Sequence, residues 1–152
     1  MIFLQSEWSK NRFADKIGCH EIYVTAKETC VRINVLRGMV HRVEVPELFS
    51  QQEEADTRIF LHANHAAQNG HSKIIIRSTD TDVQVLACFY QSIIMADMYL
   101  HKGTGTGKHI LCINDLTTSL GPEVCNILPG IHALTGCDSV SAFHGHGKKI
   151  CH

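Results

Sequence analysis

Apolar positions along the chain fall into short blocks whose period changes. Between residues 2 and 17, Phe3, Leu4, Trp8, Phe13 and Ile17 are spaced loosely as on a helix, and Gly18 can end it. Residues 21–26, EIYVTA, are β-branched and aromatic and predict a strand. Residues 29–36 and 39–45 flank Arg37-Gly38, the second run partly alternates, and Pro46 ends it; this predicts a hairpin. Ser50 then stands as an N-cap with Glu53 three residues on, a capping-box pattern. It precedes residues 51–69, where Ala55, Ile59, Ala63 and Ala66 recur at helical intervals and Gly70 holds the C-terminal cap position.

KIIIRS (73–78) is a continuous apolar run, the pattern of a strand covered on both faces. Ser78-Thr79-Asp80-Thr81-Asp82 follows, and VQVLACFYQSII (83–94) reads as the next helix. Residues 97–102 and 109–113 predict two strands around GTGTG. Asn114 or Asp115 would cap a short helix to Leu120, and Gly121-Pro122 would restart a helix through Leu128 that Pro129-Gly130 breaks. The remainder, LTGCDSVSAFHGHGKKICH, is glycine-punctuated and loop-like. Strands interleaved with helices from residue 50 onward predict an α/β layer with a mainly parallel sheet. Residues 1–46 would form an N-terminal helix and hairpin annex beside a core over 47–152.

Composition narrows the function classes. The chain has 152 residues, 44% apolar and 19% charged, which is globular and not disordered. Its net charge of −1 provides no global basic field for nucleic acid or membrane, so any nucleic-acid site must be local. No run approaches the roughly 18 apolar residues of a membrane span, and the opening MIFLQSEWSK is too short in apolar residues for a signal peptide. Seven cysteines without a CxxC pair predict buried thiols in a reducing, intracellular compartment, with the nucleus left open.

Three short acidic places stand out: Glu53, Glu54 and Asp56 in EEAD; Asp80 and Asp82 in DTD; and Asp138 in TGCD. Asp80 and Asp82 follow a predicted parallel strand, at whose carboxyl end ligands bind in open α/β sheets. Carboxylates gathered in one cleft repel unless a cation neutralises them, and hard oxygen ligands suit Mg²⁺ or Mn²⁺. One or two such ions would support phosphate-ester chemistry. Each acid also has a plainer role, since acids at helix starts interact with the helix dipole and serve as caps.

Three blocks resemble, in order, the flap-endonuclease-like 5′ nucleases of the PIN-like superfamily. VPELFSQQEEADTRIFLHA resembles the lead-in to a helix that opens on an acidic pair. RSTDTDVQVL resembles the strand-end block with two acids one residue apart, and TGCDSVSAFHGHGKK the G-x-D block with a glycine-rich turn of a helix–two-turn–helix element. The run EEADTR, DTDV and LPGxHAxTGCD is closer still to uncharacterised animal proteins of the superfamily, many associated with mobile elements. The resemblance implies a three-layer α/β/α PIN-like domain, incomplete at both ends. It implies metal ligands at Glu54, Asp56, Asp80, Asp82 and Asp138, one or two Mg²⁺ or Mn²⁺ ions, and a grip on nucleic-acid backbone, DNA in particular, at Gly145, Gly147 and Lys148. Glu53 remains an alternative to Glu54, because Glu53 and Asp56 share a helix face.

The family's first-strand Asp has no counterpart, and Ala26 stands where a second-strand Asp is expected. The end at KKICH, at the glycine turn, predicts a fragment of a longer reading frame or a decayed copy. The alternative to a nuclease is therefore a degenerate, non-catalytic PIN-like module that binds metal, nucleic acid or protein. GTGTGKH (103–109) is one residue short of a P-loop between its outer glycines and carries His109 in place of the magnesium-binding hydroxyl, so a glycine hairpin is the better reading. His62 and His65, or His144 and His146, suggest zinc, but neither pair joins cysteines at finger spacing. Cys137 with His132 would make a nucleophile and base, although Cys137 in TGCD is better placed to pack beneath Asp138.

Overall fold

The computed structural model describes residues 2–51, 55–103 and 109–135. Within them the protein is a mixed α/β chain with two three-stranded sheets. It divides into two compact units, residues 1–58 and 59–152.

In the first unit, helix α1 (Ile2–Trp8), a 3-10 turn at Asn11–Phe13 and the short helix α2 (Ala14–Ile17) precede three strands, β1 (Ile22–Ala26), β2 (Thr29–Leu36) and β3 (Met39–Glu44). These form an antiparallel meander in the order β1-β2-β3, with Ala26 opposite Thr29 and Leu36 opposite Met39. Both residues of the second turn take positive φ, Arg37 at 52° and Gly38 at 77°, as the two-residue hairpin of a right-twisted strand pair requires. Ile17, Val31 and Ile33 make the core, with Trp8, Phe13, Ile22 and Val24 packed against it. The Trp8 and Phe13 rings stack at 5.2 Å. Gln5 is buried but not orphaned, since its Nε2 donates to the Val24 carbonyl at 3.0 Å. A 3-10 turn at Pro46–Leu48 seats the buried Leu48.

Helix α3 (Ala55–Gln68) contributes its residues from Ile59 to the second unit. It ends as the sequence predicts: Gly70 takes φ 89°, and the His71 N–H returns to the Ala66 carbonyl at 3.1 Å. Then come β4 (Lys73–Arg77), α4 (Thr81–Tyr90), β5 (Asp97–Lys102), β6 (His109–Cys112), α5 (Ile113–Leu120) and α6 (Pro122–Thr135). β4 and β5 run parallel around the α4 crossover, and β6 returns antiparallel to β5.

A mainly parallel sheet was expected, yet among the described residues only β4 and β5 pair in parallel. The reason is loop length. A parallel neighbour needs a crossover of a dozen or more residues, whereas residues 27–28, 37–38 and 103–108 are hairpin-sized connections. β4 also differs from the strand covered on both faces. Ile74 and Ile76 join Met98, Leu100 and Leu111 in one cluster with Phe60, Ala63, Val83, Ala87 and Ile113 from the helices. Side chains alternate along a strand, so Lys73, Ile75 and Arg77 share the opposite face, where Ile75 is 68% exposed.

Two details at the end of the unit also depart from expectation. Asn114 does not cap α5; its Oδ1 accepts from the Met98 N–H at 2.9 Å, and Cys112 occupies the cap position. Helix α6 does not stop at Pro129-Gly130 but runs on to Thr135. A proline inside a helix forfeits one backbone hydrogen bond and crowds the preceding turn, at a cost of about 3 kcal/mol. The packing of α6 on α4, with Cys125 buried, and the contact made by His132 beyond the proline offset that cost. The outer side of α6 carries Val124, Ile127, Ile131 and Leu134 at 3-4-3 spacing, all exposed. No helix among the described residues is long and apolar enough to cross a membrane.

Candidate functional site

The residues that bring chemistry together lie where β4 gives way to α4. Ser78 Oγ accepts from the Asp80 N–H at 3.1 Å, which turns the chain out of the strand. Asp80, in extended conformation at φ −73° and ψ 137°, is the N-cap of α4, and its Oδ1 accepts from the Asp82 N–H at 2.9 Å. Asp82 lies in the first turn, where the unpaired amides and the helix dipole favour negative charge. The capping role foreseen for this segment is therefore present. It occupies one oxygen of the half-buried Asp80 carboxylate.

Asp82 has a partner the sequence did not suggest. His132 Nε2, from the last turn of α6, meets Asp82 Oδ1. The two side chains are 11% and 25% exposed, respectively, so the contact is shielded from water and is not a loose surface pair. A continuous helix would have revealed it: His132 lies seven residues, two turns, after the buried Cys125, on the face that packs inward. Expecting a break at Pro129-Gly130 concealed that register. The same strand end carries positive charge. Lys102 closes β5, with its Nζ donating to Gln84 Oε1 of α4 at 2.6 Å, and Arg77 pairs in register with His101.

Asp56 lies, half-buried, in the first turn of α3, in the first unit, whereas Asp80 and Asp82 belong to the second. Near it, Arg58 donates through Nη1 to the Lys27 carbonyl and through Nη2 to the Ser50 carbonyl at 2.7 Å, fixing the start of α3 to the turn after β1. That turn follows the buried Ala26 at the end of β1. Glu53, Glu54, Asp138, Gly145, Gly147 and Lys148 lie outside the described residues, as do Cys137, His144 and His146. Among the described residues no group of three or more His, Cys, Asp or Glu is arranged to hold a metal ion. The sequence-predicted acids that the structure brings together are thus Asp80 and Asp82.

The buried thiols Cys30, Cys88 and Cys125 behave as small apolar groups. Burial, reinforced by the neighbouring Cys125, pushes the Cys88 thiol from its ordinary 9.0 up to about 11, and burial also raises Cys30. Thiolate is the reactive form, so Cys88 stays inert at pH 8. Iodoacetamide at that pH is expected to label the exposed Cys19 at least roughly tenfold faster than Cys30 or Cys88, as read by peptide mass spectrometry. Equal rates would contradict the packing described. The sign for stability follows: above pH 9.0 the unfolded chain gives up a proton that folded Cys88 keeps to about 11, so this thiol's contribution fades as pH rises through that window.

The GTGTG segment falls between antiparallel strands, as a glycine hairpin requires, although residues 104–108 lie outside the described residues. A groove of about 470 Å³ lined by Ser72, Gln91, Ile94, Met95, Asp97 and Asn114 opens at the amino ends of β4 and β5. It lies at the opposite end of β4 from Asp80, so it is not part of the acidic site. Comparison with protein-family models, curated proteins and solved structures found no match.

Proposed function

We propose that this chain carries the core of a divalent-metal-dependent nuclease that hydrolyses phosphodiester bonds in structured DNA or RNA, built on a three-layer PIN-like plan. The observation that carries the reading is the placement of Asp80 and Asp82 together at the carboxyl end of a parallel strand and the amino end of α4. Carboxylate oxygen is the donor type that suits Mg²⁺ or Mn²⁺, and one oxygen of each acid has a contact within the protein, Asp80 Oδ1 with the Asp82 N–H and Asp82 Oδ1 with His132. The resemblance names Glu54, Asp56 and Asp138 as further ligands. The bound ion would supply activation of water and stabilisation of the leaving oxygen. The chain's own residues do the rest: α4 orients the acids, and Lys102 and Arg77 bring local positive charge to the sheet end of a chain whose net charge is −1. Gly145, Gly147 and Lys148 would hold backbone phosphates through N–H groups and the ammonium.

A second reading, a non-catalytic module of the same type, draws on Ala26. It ends β1 as a buried residue with no carboxylate to offer. One experiment separates the two. Purified protein is incubated with branched and single-stranded DNA and RNA, with Mg²⁺, Mn²⁺ or EDTA. Cleavage that requires the ion supports the nuclease; absence of cleavage at micromolar protein, with metal still bound, supports the module.

A further inference from the structure

The sheet of the second unit has one covered face and one open face. Core residues of three helices, Phe60, Ala63, Val83, Ala87 and Ile113, all join the cluster on the side of Ile76, Met98 and Leu100. Alternation sends Lys73, Ile75 and Arg77 of β4 to the other side, and register places Tyr99 and His101 of β5 and Ile110 of β6 beside them. Ile75 and Ile110 are 68% and 62% exposed, and Tyr99 between them is half-buried. Lys73 and Arg77 are exposed too, and among the described residues neither has a carboxylate within ion-pair distance. Asp97 lies opposite Lys73 at the amino end of this face, so the carboxyl end, with Arg77 opposite His101, is left positive. Resting on the nuclease reading for the class of ligand, we propose that this open face binds single-stranded nucleic acid, with bases stacked on Tyr99 and His101 and phosphates on Arg77 and Lys73.

Each part of the face matches a part of a nucleotide. A flat ring offers a stacking surface to any base without reading sequence. Tyr99 and His101 are successive outward residues of the middle strand, about 7 Å apart, which gives each base its own ring. Lys73 and Arg77 stand about 13 Å apart along β4, the reach of roughly four stacked nucleotides at about 3.4 Å each. Ile75 and Ile110 flank the rings and suit the apolar edges of the sugars. A duplex hides its base faces in its own stack, so ring contact selects unpaired strands. An apolar helix or a second copy laid here would bury two cations without partners, a penalty that phosphates remove. A strand that follows the face past Arg77 arrives, three residues on, at the turn of Asp80 and Asp82.

The test is fluorescence anisotropy of a labelled oligothymidylate of about 20 nucleotides, compared with a duplex of the same length, in EDTA so that neither cleavage nor a bound ion contributes. The expected result is binding of the single strand in preference to the duplex, weakened roughly 5–100-fold by Tyr99→Ala and kept within about threefold of wild type by Tyr99→Phe. Arg77→Gln should reduce the slope of log Kd against log salt by about 0.7, one phosphate contact. Arg42→Gln, which removes an exposed cation from the other unit, should leave that slope unchanged. Melting temperature is read on every variant, and the exposed Arg77 carries the test should Tyr99→Ala fail to fold. Wild-type affinity in folded Tyr99→Ala, equal effects of Arg77→Gln and Arg42→Gln, or no binding of single strands would overturn the proposal. So would a dimer that Ile75→Lys dissolves, which would place a second copy on this face. Single-strand binding without cleavage once Mg²⁺ or Mn²⁺ replaces EDTA would uphold this face and remove the nuclease reading. Ion-dependent cleavage unaltered by Tyr99→Ala would do the reverse.

Discussion

On the proposed nuclease reading, Asp80→Asn is expected to leave the protein folded and to lower metal-dependent cleavage by about a thousandfold, the equivalent of roughly 4 kcal/mol of charge stabilisation at the metal. Asp80 has two separable jobs. As N-cap it accepts the Asp82 N–H at 2.9 Å, and as a carboxylate it offers charge to a cation. Asparagine caps a helix as well as aspartate does, so it removes the charge and keeps the cap. Alanine removes both, and Asp80→Ala should lose the same activity and about 1 kcal/mol of stability besides. The comparison is made by measuring cleavage rate and denaturant midpoint on all three proteins. An Asn variant as active as wild type would show that Asp80 is a cap and nothing more, and would withdraw the nuclease assignment from this strand end.

Leu100→Ala should destabilise the second unit by about 2–5 kcal/mol, the range for emptying a packed aliphatic site. Leu100 is fully buried at the middle of the three-stranded sheet, among Ile76, Met98, Val83 and Ile113. On a chain of this size the melting temperature would fall by roughly 8–20 °C. Ile75→Ala is the internal control. It truncates a β-branched residue one position from the core residue Ile76, but on the face where 68% of Ile75 is in water, and it should change stability by no more than about 1 kcal/mol. If Ile75→Ala proved as costly as Leu100→Ala, the sheet would be covered on both sides and the described burial wrong.

Local chemistry made most of the elements legible in the sequence. The Arg37-Gly38 hairpin, the Gly70 cap and the Ser-Thr-Asp-Thr-Asp turn depend on residues within a few positions of one another, and each forms as its residue types require. What escaped depends on long-range packing. A run of three isoleucines at 74–76 does not say that the middle one faces outward, because hydrophobicity alone carries no record of which face is covered. Pro129 reads as a helix break because the proline penalty is local, while its compensation, Cys125 buried and His132 on Asp82, comes from a helix some 40–50 residues earlier. The candidate site divides along the same line. Asp80 and Asp82 sit two residues apart and were readable; the contact of His132 with Asp82 was not.

Helix α6 has a consequence for how the protein behaves in a tube. Its outer stripe of Val124, Ile127, Ile131 and Leu134 is wet, and a net charge of −1 provides little mutual repulsion to keep molecules apart. Such a surface is colloidally adhesive and also takes up fluorescent dyes that report greasy patches, so a bright dye signal at room temperature belongs to the intact fold.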